Sequence, residues 1–141
     1  MQIFLTDYDF ATIAKTLDYR RLGKQRVECK QILMALTGAS TGWRNHPATK
    51  MWRGHEEMLC NYALFMCEEW VRRGYKDTLT DWFCDAWQEL HTVPPTRIWM
   101  DWLTDTLITS HRSNLIRKAP EHYAPLWPDV PNDLPYVWPV P

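Results

Sequence analysis

The chain has 141 residues, 45% hydrophobic and 23% charged, with nine tryptophans. That composition predicts one domain with a real core and excludes a low-complexity or disordered chain. The net charge of −1 conceals a segregation: residues 15–53 carry nine Lys/Arg against two acids, whereas residues 54–109 carry four against ten. A chain charged in this way can turn a basic face to an anion; alternatively, its two halves attract each other in the fold.

In chain order, Met1–Leu5 (MQIFL) predicts an extended apolar lead-in. Thr6 to Asp9 offer caps for a short helix running to Leu17. Asp18 can cap a second helix over 19–37, in which Leu22, Cys29, Leu33 and Leu36 form an apolar line. The same helix crowds five cations, Arg20, Arg21, Lys24, Arg26 and Lys30, into a few turns. At about 100° per residue Arg26 falls between Leu22 and Cys29 on the core side, where a guanidinium needs partners or a cavity. Gly23 inside this helix suggests close approach of another backbone or a ligand.

Residues 38–42 (GASTG) read as a loop, and Pro47 suits the first turn of a long central helix over 48–73. Its apolar stripe runs through Met51, His55, Met58, Tyr62, Phe65 and Met66. Another helix is predicted over 78–90, a break at Pro94-Pro95, and a last helix over 99–118. Residues 119–141, rich in proline and aromatics, should wrap over the helical body 1–118 as an irregular tail. The expectation is therefore an all-α fold, a single domain of about four to five helices.

Cys29, Cys60, Cys67 and Cys84 form no C-x-x-C pair and read as free buried thiols of a cytoplasmic protein. Residues 1–14 carry two acids and no signal-peptide pattern, and no apolar run approaches membrane length. No zinc spacing, Gly-rich phosphate loop or nucleophile elbow is present, so neither a metal nor a cofactor is expected.

Four constellations carry possible chemistry. The basic helix offers several cations on one surface, as phosphate binding requires; the simpler reading is a solvated face with ion pairs such as Lys24–Glu28. Arg44-Asn45-His46-Pro47, with Lys50, places donors suited to a phosphate at a helix start, or forms a capping turn that needs no ligand. His111, Arg112, Ser113 and Asn114, followed by Lys118, supply donors for phosphates or base edges, or form an ordinary polar face. His55 beside Glu56 and Glu57 is either a core histidine or an acid/base pair.

The segments MQIFLT, LDYRRLGKQRVE, GWRNHPATKMWRGHEE and SHRSNLIRKAPEHY, in this order, resemble the pyrimidine-dimer DNA glycosylase family of endonuclease V-like excision proteins, in a bacterial and phage branch. The resemblance covers most of residues 1–125 and implies a compact all-α enzyme that acts as a monomer on damaged or modified bases in duplex DNA. It further implies that the N-terminal α-amine attacks C1′ of the nucleotide, forms a Schiff base and permits β-elimination. α-Amines as a class titrate near pH 7.7–8.0, so a neutral nucleophilic fraction exists near neutrality.

Met1 falls where the family's N-terminal residue lies, and the large Gln2 predicts that Met1 is retained. Arg20 falls on the family's arginine after a tyrosine, Arg26 or Lys24 near a second one, and Arg112 and Lys118 near the basic residues of the last helix. The chain departs from the family at Arg21, where the catalytic glutamate would stand. Glu28 returns to nearly the same helical face, but about 10 Å further along the axis at about 1.5 Å per residue, so it serves only in a displaced site. Glu56 is the other carboxylate candidate.

The resulting expectation is a glycosylase/AP-lyase-like protein. Met1 would be its nucleophile, Glu28, Glu56 or His55 its acid/base group, and Arg20, Arg21, Lys24, Arg26, Arg44, His46, Lys50, His111, Arg112 and Lys118 its DNA contacts. The alternatives are a non-catalytic DNA-binding module on the same fold, and an enzyme on a small nucleoside or phosphorylated ligand using Arg26, His46, His55 and His111.

Overall fold

The computed structural model describes residues 1–90 and 99–139. The fold is all-α: among the described residues there are seven helices and no strand. They are α1 (Phe10–Thr16), α2 (Tyr19–Thr37), α3 (Pro47–Lys50), α4 (Glu56–Arg72), α5 (Thr80–Leu90), α6 (Asp105–Lys118) and α7 (Pro120–Tyr123). The proline pair 94–95 lies outside the described residues.

α2 has the span its apolar period predicts, and Gly38 ends it in the left-handed conformation (φ 86°). The helix expected over 48–73 is instead two. α3 is a single turn, Gly54 takes φ 86°, and His55 stands at the N-cap of α4. Glu56 turns back to accept the Gly54 N–H at 3.1 Å, which satisfies the turn between the helices. The last long helix likewise begins later than expected. The Thr104 hydroxyl caps it by accepting from the Leu107 N–H at 3.3 Å, and residues 99–104 are turns.

α4 is central, packing on α1, α2 and α5. The pairing of α2 with α4 is close because Gly23 leaves room for the Trp70 ring: a Cβ there would meet Trp70 Cη2 at 2.9 Å. The close approach is made by an indole side chain, not by the backbone or ligand that Gly23 suggested. Trp70 also stacks on Tyr75 at 4.2 Å and lies under the Arg26 guanidinium at 4.7 Å. The Arg73 guanidinium crosses to α1 and donates to the carbonyls of Ala14, Lys15 and Leu17, which the end of α1 leaves unpaired.

The tail is held by hydrogen bonds from α6. Ser113 Oγ accepts the Leu134 N–H, Asn114 donates to the Leu134 carbonyl, and Ser110 Oγ accepts the Val137 N–H. Ser113 and Asn114, read from the sequence either as donors for a ligand or as an ordinary polar face, are thus used within the fold. In α7, the Tyr123 hydroxyl donates to the Asp18 carboxylate and accepts from the Asp18 N–H at 2.9 Å, joining the tail to the start of α2. Cys29, Cys60 and Cys67 are buried free thiols, as read from the sequence, but Cys84 is exposed.

Candidate functional site

The site is built around the first six residues. Ile3 and Leu5 are fully buried, and Gln2, Phe4 and Thr6 nearly so; burying Ile3, Phe4 and Leu5 contributes about 1.5–3 kcal/mol each. An extended segment inside a helical protein needs partners for its backbone, and side chains of three helices provide them. From α2, Gln25 Oε1 accepts the Phe4 N–H at 2.9 Å and Gln25 Nε2 donates to the Gln2 carbonyl at 2.9 Å. From α4, the Tyr62 hydroxyl lies 2.7 Å from the Phe4 carbonyl and 2.8 Å from Gln25 Oε1 and donates to one at a time. From α6, His111 Nδ1 accepts the Leu5 N–H at 2.9 Å and Arg112 Nε donates to the Thr6 carbonyl at 2.8 Å.

This docking fixes the chain's first residue. Met1 opens on a cavity of about 360 Å³, lined also by Gln2, Phe4, Arg20, Arg21, Lys24, Gln25, Glu28, Lys118 and Tyr136. Four cations from two helices thus surround a single carboxylate and the chain's own amine. Burial raises the Glu28 carboxyl above the ordinary carboxylate range. The positive Met1 amine, the Gln2 backbone N–H, Lys24 and Lys118 pull it back in that order, and the net shift is upward. Gln25 Nε2 donates to Glu28 Oε2 at 3.2 Å, so one amide both docks the N-terminal segment and orients the carboxylate.

The register of that segment puts Met1 on the same cavity as Glu28. Because Gln25 holds Gln2 and Phe4, Met1 lies beside the second and third turns of α2. Arg21 lines the cavity and is tied to Asp18 at 3.3 Å.

Other residues singled out from the sequence lie elsewhere. Arg26 is turned inward as expected, but into an ion pair with Asp77 (Nη2–Oδ1 2.8 Å, Nε–Oδ1 2.9 Å), outside the cavity wall. His55 is buried at the start of α4 with its ring 5.8 Å from Trp102, and neither it nor Glu56 lines the cavity. Arg112 is held by Thr6 and lies 5.4 Å over the Trp127 ring. Lys50 is half-buried at the end of α3. Arg44 and His46 line a second cavity with Thr41, Trp43, Asn45 and Arg53.

His111 is fully buried, so it is a core residue out of reach of any DNA backbone. Accepting at Nδ1 places its proton on Nε2, and burial lowers its pKa to about 3. A depressed folded-state pKa contributes stability that is complete above the unfolded value near 6.5 and is lost as pH falls toward 3. Acid should therefore cost about 2 kcal/mol by pH 5 through this residue alone. Chemical denaturation at pH 7 and pH 5 checks this, and a His111→Gln variant should show a shallower pH dependence.

Gln25, Gln2 and Tyr136 complete the site without having been singled out from the sequence. The signal for Gln25 was a neutral amide on the inner side of a very basic helix. Tyr136 had no signal, because its place depends on how the tail folds back. Gln2 Nε2 and the Tyr136 hydroxyl are buried without a hydrogen-bond partner among the described residues.

Among the described residues no cluster of His, Cys, Asp or Glu could hold a metal, and no helix is long and apolar enough to cross a membrane. The fold and the cavity define an all-α protein that brings its own N-terminus into a cationic pocket. The chain belongs to the pyrimidine dimer DNA glycosylase family, whose model matches residues 1–82. No curated protein and no solved structure matches it. The matched residues supply Met1, Gln25 and Glu28, whereas Lys118 and Tyr136 come from beyond them.

Proposed function

We propose that the protein excises pyrimidine lesions from duplex DNA, with the Met1 α-amine as nucleophile and Glu28 as the acid/base group. The observation that carries this reading is the meeting of Met1 and Glu28 in one cavity ringed by Arg20, Arg21, Lys24 and Lys118. The lesion nucleotide leaves the base stack and its sugar enters the cavity, while the cations take the flanking phosphates.

The neutral amine attacks C1′ and the N-glycosidic bond breaks, its electron pair leaving with the base. Protonated Glu28, favoured by burial, donates the proton that the departing base needs. The attacking amine then gives up one of its two protons to O4′ as the C1′–O4′ bond breaks, which opens the sugar ring and leaves a C1′ iminium that keeps one N–H. The Glu28 carboxylate then removes a C2′ proton, the C2′–H electrons form a new double bond, and the C3′–O bond breaks, releasing the 3′ phosphate against the cations. Hydrolysis of the iminium returns the amine.

The direct test is incubation with a duplex carrying one thymine dimer. Strand cleavage at the dimer supports the reading. Salt-sensitive binding with no cleavage at a dimer or an abasic site would favour a DNA-binding module on the same fold, and no binding at low salt would dismiss both. A variant extended by a few residues before Met1 should lose cleavage while binding the duplex within a few-fold of the unextended chain, as measured by gel shift.

A further inference from the structure

The second cavity is distinct from the Met1 pocket. It measures about 750 Å³ and is lined by Trp43, Arg44, His46 and Arg53, with Thr41 and Asn45. Among the described residues neither Arg44 nor Arg53 has a carboxylate partner, so both charges are available to an anion. Trp43 is 49% exposed and is the non-glycine residue with a positive φ (66°) among those described. An aromatic residue in that region is strained, so the fold holds the indole at the cavity rim at a cost.

The two cavities are joined by a line of rings. Tyr136, which lines the Met1 pocket, lies 5.6 Å from Trp138; Trp138 lies 6.0 Å from His46; and His46 lies 5.5 Å from Trp43. Duplex phosphates would need only the cations of such a cleft. An open indole sharing a cavity with two guanidinium groups is the combination that unpaired bases use, stacking on the ring while the backbone is held by charge. The three ring contacts place the cleft within roughly five nucleotides of the Met1 pocket, at a rise of about 3.4 Å per step.

We propose that the Trp43–Arg44–Arg53 cleft is a single-stranded DNA subsite, which stacks an unpaired base on Trp43 and holds its phosphates with the two arginines. The inference rests on the DNA reading above. It gives the protein affinity for undamaged unpaired strand beside the lesion pocket.

The test uses a short oligothymidylate, free of any lesion, with the full chain. The unaltered protein should bind it. Trp43→Asn, which accepts the positive φ, should weaken binding about ten- to hundredfold without loss of thermal stability. The Arg44→Gln/Arg53→Gln double variant should lower the slope of log affinity against log salt by about 1.4, near 0.7 for each lost phosphate contact to a single strand. No binding by the unaltered protein, or variants that bind as it does, would overturn the subsite. Cleavage of the dimer duplex by the unaltered protein is scored separately, so failure of the subsite is distinguishable from failure of the proposed function.

Discussion

Glu28→Gln is expected to slow single-turnover cleavage of a dimer-containing duplex by about 10²–10⁴-fold, the range typical of losing a positioned acid/base group. The isosteric amide can still accept from Gln25, but it neither donates an acidic proton nor removes one from C2′. Binding should be unaffected or slightly tighter, because one negative charge leaves a cavity that Arg20, Arg21, Lys24 and Lys118 also line. The pH dependence should change as well. Glu28 is raised by burial, so in the unaltered protein base release should weaken as pH rises through its elevated pKa and the protonated fraction is lost. The variant should lack that limb. Retention of full cleavage by Glu28→Gln would move the acid/base role to another residue.

Asp77→Ala is expected to destabilise the fold by about 3–5 kcal/mol, because it leaves the buried Arg26 guanidinium without its counter-charge. The two side chains are only 9% and 3% exposed, and Asp77 also accepts from the Leu79 and Thr80 N–H groups and the Thr80 hydroxyl at the start of α5. Thermal unfolding should fall by roughly 10 °C or more. Replacing both partners, Arg26→Met with Asp77→Asn, should recover most of the loss, since no unpaired charge then remains buried and the amide oxygen still accepts from the Leu79 and Thr80 N–H groups. Because Arg26 lies outside the Met1 cavity, that double variant should still cleave DNA at low temperature. Loss of DNA binding in a folded double variant would return Arg26 to the DNA-contacting surface where sequence reasoning placed it.

The helix α2 was legible in the sequence because its signals are local. Asp18 stands before it, an apolar residue recurs each turn or two, and Gly38 closes it. The break inside the expected 48–73 helix was not legible from periodicity, which runs through Gly54 unchanged. It depends on a glycine taking φ 86° and on Glu56 reaching back to it.

The site followed the same division. Met1, Arg20, Arg21, Lys24, Glu28 and Lys118 were candidates from residue type and resemblance, and the fold brings them to one cavity. What made Glu28 a remote choice was its distance along α2 from position 21. Docking of the N-terminal segment removes that difficulty, and it rests on Gln25, Tyr62 and His111, whose partners lie 21, 58 and 106 residues away in the chain. Periodicity carries no information about contacts at that separation. The inward turn of Arg26 was likewise readable from its helical angle, but its partner Asp77 is 51 residues away, so its orientation was legible and its role was not.

In the proposed function the amine of Met1 performs the chemistry with Glu28 in the same cavity. Borohydride reduction during reaction with abasic-site DNA, followed by protease digestion and mass spectrometry of the cross-linked peptide, tests it most directly. The predicted result is a stable protein–DNA adduct whose modification maps to the α-amine of Met1. An adduct mapping to a lysine such as Lys24 or Lys118, or no adduct from protein that binds the same DNA, would contradict it.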